Sequence, residues 1–189
     1  MKQKKITFIG GGNIARSLLS GLLAAGYDAN MIWMADPDQE RLDELSRHFS
    51  VNTATDNSDA VKNSQVVVLA VKPQNLHDVC TTIKSKIQEN QPLVISVAAG
   101  IGTENICQWL NCVPPLVRTM PNTPAAIGAG ATALFATPAV SLEQRSLAES
   151  LMRSVGITIW VDKESLMDTV TALSGSGPAY FFLIMEILE

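Results

Sequence analysis

Residues 6–22 read ITFIGGGNIARSLLSGL, and this stretch decides the fold. Lys5–Ile9 is a short run with β-branched and aromatic residues, and Gly10-Gly11-Gly12 ends it. From Asn13 the apolar residues return at helical spacing: Ile14, Leu18 and Leu22, with Leu19 and Leu23 beside them, halting at Gly26. The order is strand, glycine turn, helix, and the small residues fit G-x-G-x-x-A at Gly10, Gly12 and Ala15. Gly10 permits the tight turn. Gly12 lets a pyrophosphate approach the backbone with no Cβ in the way, and Ala15 is small enough for the helix to pack on the strand. The free N–H groups at the helix start offer partial positive charge to phosphates. The spacing therefore predicts a dinucleotide site rather than a merely structural turn.

The rest of the chain extends the same alternation. Strands are predicted at Met31–Ala35, Val66–Val71, Leu93–Val97, Leu116–Met120, Ala131–Ala136 and Gly156–Val161. Helices are predicted at Asp38–Phe49, Pro73–Ile87, Thr103–Leu110 and from Ser141 to about Ser154, the last opened by a Ser141/Gln144 capping box. Continuous apolar runs such as Val66–Val71 mark strands buried on both faces. The expected architecture is α/β: a Rossmann-type, doubly wound, mainly parallel sheet over residues 1–161. After Val161 the alternation stops. Residues 162–189 begin an all-helical segment, with a helix at Glu164–Leu173, a small-residue loop and a final apolar helix.

Composition narrows the function. A net charge of −4 and only one short basic run, Lys2–Lys5, argue against a nucleic-acid surface. Cys80, Cys107 and Cys112 form no CxxC pair and read as thiols in a reducing compartment. With His48 and His77 as its only histidines and no clustered ligands, the chain offers no metal site. Neither a signal peptide nor an apolar stretch approaching about 20 residues is read, so no membrane span is expected and the cytoplasm is the expected compartment.

Three further strand ends carry candidate site residues. Asp36, after Met31–Ala35, is placed to accept hydrogen bonds from ribose hydroxyls; Asp36-Pro37 is equally a helix cap followed by proline at the first helical position. Arg41, a turn later, could receive a 2′-phosphate, and the balance leans toward NADH. Lys72, in LAVKPQ, stands at the carboxyl edge of a buried strand, where ligands bind, or is a solvated lysine. SVAAGI (Ser96–Ile101) brings small residues to the same edge. MPNTP (Met120–Pro124) offers the Asn122 amide and the Thr123 hydroxyl, or is only a stiff turn.

The motifs IGGGNIA, AVKPQ, SVAAGI, MPNTP and above all DTVTALSGSGPAYFF (Asp168–Phe182), in this order, resemble the pyrroline-5-carboxylate reductase family over the whole chain. The resemblance implies reduction of the ring C=N of 1-pyrroline-5-carboxylate to L-proline by NADPH or NADH. It implies cofactor contacts at Gly10, Gly11, Gly12, Asn13, Ile14, Ala15, Asp36, Asn57, Ala70, Val71, Lys72, Pro73, Ala98, Ala99 and, at the nicotinamide end, Asn122. Asp36 departs from the small or basic residues that NADPH-preferring relatives often carry. Ser174, Ser176 and Thr123 are the candidates for positioning substrate, Ser176 as a cap of the helix entered at Pro178; the glycine turn also reads as a packing turn between helices. No general acid is identified.

The resemblance further implies a homo-oligomer formed through an intertwined helical domain, of which residues 162–189 are only the start. A Ser-Pro-Gly-Gly-Thr-Thr loop that helps hold substrate in relatives is absent, so the chain reads as a shortened form. Pro178–Glu189 is apolar on every side and requires burial against protein. Two rival readings remain: a related two-domain dehydrogenase acting on a hydroxy acid, and a non-catalytic nucleotide-binding fragment.

Overall fold

The computed structural model of the chain describes residues 3–188. Eight strands form one sheet: β1 (Ile6–Ile9), β2 (Ile32–Ala35), β3 (Asn52–Ala54), β4 (Val66–Leu69), β5 (Leu93–Ser96), β6 (Leu116–Met120), β7 (Gly130–Ala136) and β8 (Gly156–Trp160). Their spatial order is β3-β2-β1-β4-β5-β6-β7-β8. Neighbours are parallel throughout except β6 and β7, which run antiparallel. The expected doubly wound, mainly parallel sheet is what the chain forms.

The pleat sorts the core into two layers. Val66 and Val68 of β4 join Ile6, Phe8, Leu93 and Ile95 in the layer under α1 (Asn13–Ala24), α2 (Gln39–Phe49) and α6 (Leu142–Arg153). Val67 and Leu69 face the other way, with Ile9 and Val94, under α3 (Asn57–Val61), α4 (Pro73–Asn90) and α5 (Thr103–Leu110). A strand that must be apolar on both faces cannot show a period of two, which is why β4 reads VVVL. The Ser141/Gln144 capping box on α6 is formed in both directions.

Sequence patterning missed β3 and α3. Both are short, and the three β3 residues are half-buried, so neither carries a periodic signal. Asp56 holds the start of α3 by accepting from the Asp59 N–H at 2.9 Å.

The largest correction lies after β8. The expected loop at Ser174–Gly177 is helical: α7 (Leu166–Val170), a π-helical turn (Thr171–Gly175) and α8 (Gly177–Leu188) run as one helix from Leu166 to Leu188. The π turn absorbs Pro178, which has no N–H to offer the preceding turn. Here the Ser176 N–H reaches back to the Thr171 carbonyl at 3.0 Å and the Ala179 N–H to the Ser176 carbonyl at 3.2 Å. These 23 residues, with a mean hydropathy of 1.2, are long and apolar enough to cross a bilayer by length and composition, which overturns the expectation that no such stretch exists. Glu189, the last residue of the expected terminal helix, and Met1 and Lys2 lie outside the described residues.

Strand β6 grips this helix at three levels. Arg118, Met120 and Asn122 are alternate residues on and just after β6, and all three reach it. The buried Arg118 guanidinium contacts Glu164 Oε1 at 3.1 Å and Asp168 Oδ1 at 3.2 Å. Glu164 in turn accepts from the Thr103 N–H at 2.7 Å and the Thr103 hydroxyl at 2.6 Å, capping α5. The Met120 methyl packs so closely on Gly175 that a Cβ there would lie 2.5 Å from it. Asn122 Nδ2 donates to Ser174 Oγ at 3.2 Å.

Removing Arg118 strands Glu164 with a half-buried negative charge. Arg118→Ala is expected to lower unfolding free energy by about 3 kcal/mol in urea titration. Asp168, with a side chain 76% exposed, is held more weakly, and Asp168→Asn is expected to change stability by less than about 1 kcal/mol.

Candidate active site

The carboxyl ends of β2, β1, β4, β5 and β6 form one edge, and the site residues lie along it. At its β1 end a crevice of about 650 Å³ is lined by Gly10–Asn13, Asp36, Arg41, Asn57, Ala70–Lys72 and neighbours. Strands spaced at about 4.8 Å put the end of β6, three strands from β1, roughly 14 Å from the glycine turn. Asn122 occupies that far end, and Ala98 and Ala99 follow β5, one strand nearer. A separate hollow of about 410 Å³ beside Lys4, Gln65 and Gln144 lies away from all of these residues.

The three glycines do different work. Gly10 has φ +99°, and a Cβ on it would stand 2.5 Å from the Ala70 carbonyl oxygen. Gly11 lies against Arg41 and Leu45 of α2. At Gly12, which caps α1, a Cβ would meet no protein atom within 4 Å. The bare backbone there faces the crevice, as a phosphate cradle requires. Ala15 is fully buried under the helix, as the motif demands.

Asp36 is buried and its carboxylate is already engaged. Oδ2 accepts from the Gly11 N–H at 2.8 Å, Oδ1 accepts from the Asp38 N–H at 3.0 Å, and Arg41 Nη1 lies within 3.2 Å of both oxygens. The expectation that Asp36 caps α2 is corrected: Asp38 is the cap, accepting from the Arg41 N–H at 3.1 Å. Asp36 instead ties the end of β2 to the phosphate loop. Arg41, 42% exposed in its side chain, also bridges Asp38 Oδ2 at 3.4 Å.

Asn57, at the start of α3, brings its Oδ1 to the crevice wall, buried and without a partner among the described residues. An orphaned acceptor there fits a ligand hydroxyl. The chemistry of Gly12, Asp36 and Asn57 together suits a dinucleotide. Lys72, at the N-cap of α4, is exposed and makes no ion pair among the described residues. Pro73 opens α4, and Val71 packs beside Gly10. Ala98 is buried and Ala99 half-buried in the turn after β5.

At the β6 end, Asn122 Oδ1 accepts from the Ala131 N–H at 2.9 Å while Nδ2 reaches Ser174. Thr123 is exposed at the start of a 3₁₀ turn. Ser176 does not cap a helix: its hydroxyl donates to the Thr171 carbonyl at 3.2 Å within the continuous helix, and its N–H donates to the same carbonyl at 3.0 Å. Residues that sequence reading missed are Arg118, Glu164 and Thr103, which fix the helix that carries Ser174. All three cysteines are free thiols, and burial pushes Cys80 up to about 12 and raises Cys107 and Cys112 as well. None is a ready thiolate near neutral pH.

The two loop glycines predict opposite failures. Gly12→Val is expected to leave the melting temperature near wild type and abolish NADH binding in calorimetry. Gly10→Val forces a branched side chain into the Ala70 carbonyl at a positive φ and is expected to unfold the domain in thermal melts.

Comparisons with known proteins agree with this geometry. A family profile described as NADP oxidoreductase coenzyme F420-dependent matches residues 5–100. One described as pyrroline-5-carboxylate reductase dimerisation matches residues 164–189. The chain is 43% identical over 188 residues to the pyrroline-5-carboxylate reductase of Pseudomonas aeruginosa, covering 100% of this chain and 68% of that protein. The solved structure of the Coxiella burnetii enzyme of that name matches at 49% identity with a TM-score of 0.93, covering 98% of this chain and 68% of the other. The Plasmodium falciparum pyrroline carboxylate reductase, solved with NADP bound, matches at 26% identity and a TM-score of 0.87, over 100% and 68% of the two chains. Prephenate dehydrogenase of Aquifex aeolicus, at 14% identity and a TM-score of 0.76, shares the fold alone.

Proposed function

The chain belongs to the pyrroline-5-carboxylate reductase family, and from that membership we propose how its residues serve the reaction. That reaction reduces the ring C=N of 1-pyrroline-5-carboxylate to L-proline with NADH or NADPH, the last step of proline synthesis. The observation that carries this reading is 43% identity across the full chain to an enzyme of that name. The hydroxy-acid alternative has only a fold-level likeness behind it, such as 15% identity to a 3-hydroxyisobutyrate dehydrogenase.

When bound, the nicotinamide cofactor supplies the hydride. Gly10, Gly11, Gly12, Asn13 and Ile14 hold the pyrophosphate against the start of α1, with Ala15 packed beneath them. Asn57 and Ala70–Pro73 flank it. Ala98, Ala99 and Asn122 border the nicotinamide end, where Thr123 and Ser174 meet the substrate. The chemistry read for these residues is positioning and hydrogen bonding.

Asp36 and Arg41 set the cofactor choice as a pair. With Arg41 swung aside, Asp36 accepts from ribose hydroxyls; with Arg41 turned outward over the crevice, it receives a 2′-phosphate. Arg41→Ala is expected to weaken NADPH by about 2 kcal/mol and to leave NADH nearly unchanged, measured by fluorescence titration of each cofactor.

The protein acts on a small molecule and is an oligomer. The boundary between nucleotide and helical units falls at 161/162, and assembly is a homo-oligomer through the helical unit. The apolar side chains of α8 are exposed all round, Phe181 at 69% and Ile187 at 73%, and lie within the dimerisation match. We read this helix as a subunit interface rather than a membrane span, and the enzyme as cytoplasmic, without a nucleic-acid partner. Light scattering is expected to give at least twice the mass of one chain, and Phe181→Glu with Ile184→Glu to return a monomer. A steady-state assay of 1-pyrroline-5-carboxylate against a hydroxy-acid panel, with either cofactor, tests the activity. Turnover of a hydroxy acid alone would reject the reductase reading.

A further inference from the structure

Ser174 sits on the π turn, at the β6 end of the ligand edge, where its hydroxyl meets Asn122. The orientation of that amide is fixed. The Ala131 backbone N–H can only donate, so the Asn122 atom 2.9 Å from it is the carbonyl oxygen. The other end of the amide is therefore the NH₂, and at Ser174 it must donate. Ser174 Oγ is thereby an acceptor, and its own proton points elsewhere.

Neighbouring hydroxyls on the same helix show what an uncommitted proton normally does. Thr171 Oγ1 donates to the Met167 carbonyl at 2.8 Å, and Ser176 Oγ to the Thr171 carbonyl at 3.2 Å. Ser174 makes no such bond among the described residues, although it is half-buried. It carries a donor with no protein acceptor among the described residues, at the end of β6, three strands along the edge from β1. Met120 against Gly175 and Arg118 against Glu164 hold the turn in place.

Resting on the reductase reading above, we propose that Ser174 donates a hydrogen bond to the ring nitrogen of the neutral imine substrate, with Asn122 as the residue that orients it. As hydride from NAD(P)H bonds to the ring carbon, the C=N π pair moves onto nitrogen and NAD(P)H becomes NAD(P)⁺. The nitrogen takes its proton from water. The Ser174 O–H stabilises the electron pair as it builds on nitrogen, and the hydroxyl keeps its own proton.

Three variants of the full chain test this. Ser174→Ala is expected to lower kcat/KM for 1-pyrroline-5-carboxylate about tenfold, the worth of one hydrogen bond, with an unchanged melting curve. The loss is expected to be greater at pH values where the imine is unprotonated than where it is protonated. Ser174→Thr restores the hydroxyl and is expected to recover most of the rate. Asn122→Asp keeps the acceptor for Ala131 but cannot donate, so it captures the Ser174 proton. In that background a further Ser174→Ala is expected to cost less than about twofold. Equal activity of Ser174→Ala and wild type at every pH, or an undiminished loss in the Asn122→Asp background, overturns the proposal alone. A wild type that binds NADH yet does not reduce the imine overturns the reductase reading and this proposal with it.

Discussion

The site depends on the point where β1 leaves the sheet. Ile9 still pairs with β4, its carbonyl accepting from the Ala70 N–H at 2.8 Å, and the next residue pairs with β2, the Gly10 N–H reaching the Ala35 carbonyl at 2.7 Å. The chain turns away between two diverging neighbours, under the Ala70 carbonyl, where no side chain fits. From β1 the strand order proceeds outward in both directions, and the crevice opens there because the connections depart to opposite faces. A bulkier residue at position 10 would remove the turn, the helix start and the tie to Asp36 together.

A second geometry is laid over the first by β6. Because side chains of a strand alternate, Arg118, Met120 and Asn122 share a face, and each meets the carboxy-terminal helix at a different level. The lowest contact is ionic, the middle one is steric and the uppermost is an amide–hydroxyl bond. The antiparallel β7 makes this meeting possible. It reverses the direction of β8, so the helix after Trp160 climbs back along the sheet toward the ligand edge.

Much of this was legible in the sequence, for identifiable reasons. Buried parallel strands and amphipathic helices write their periodicities plainly, and the phosphate loop combines strand, glycines and helix in one stretch. The misses are equally physical. Asp36-Pro37-Asp38 presents two carboxylates with capping chemistry, and only the fold decides that the second caps while the first turns back to Gly11. Glycine and proline in SGSGP argue locally for a break. Contacts with Met120 and Asn122 override that preference and leave a π turn in an unbroken helix. The Arg118–Glu164–Thr103 cluster joins residues 46 and 61 positions apart, and no local pattern announces it.

The helix that carries Ser174 continues without interruption into the exposed apolar turns of α8. One covalent element therefore joins the β6 end of the ligand edge, through the Asn122–Ser174 bond, to an exposed apolar surface. Thermodynamic linkage follows: a subunit contact that favours one setting of this helix also favours the ligands that need that setting, and the reverse holds with equal strength. If the proposed subunit contact forms through this surface, dilution of the protein acts as an antagonist of substrate, weakening apparent affinity without touching any residue that contacts it.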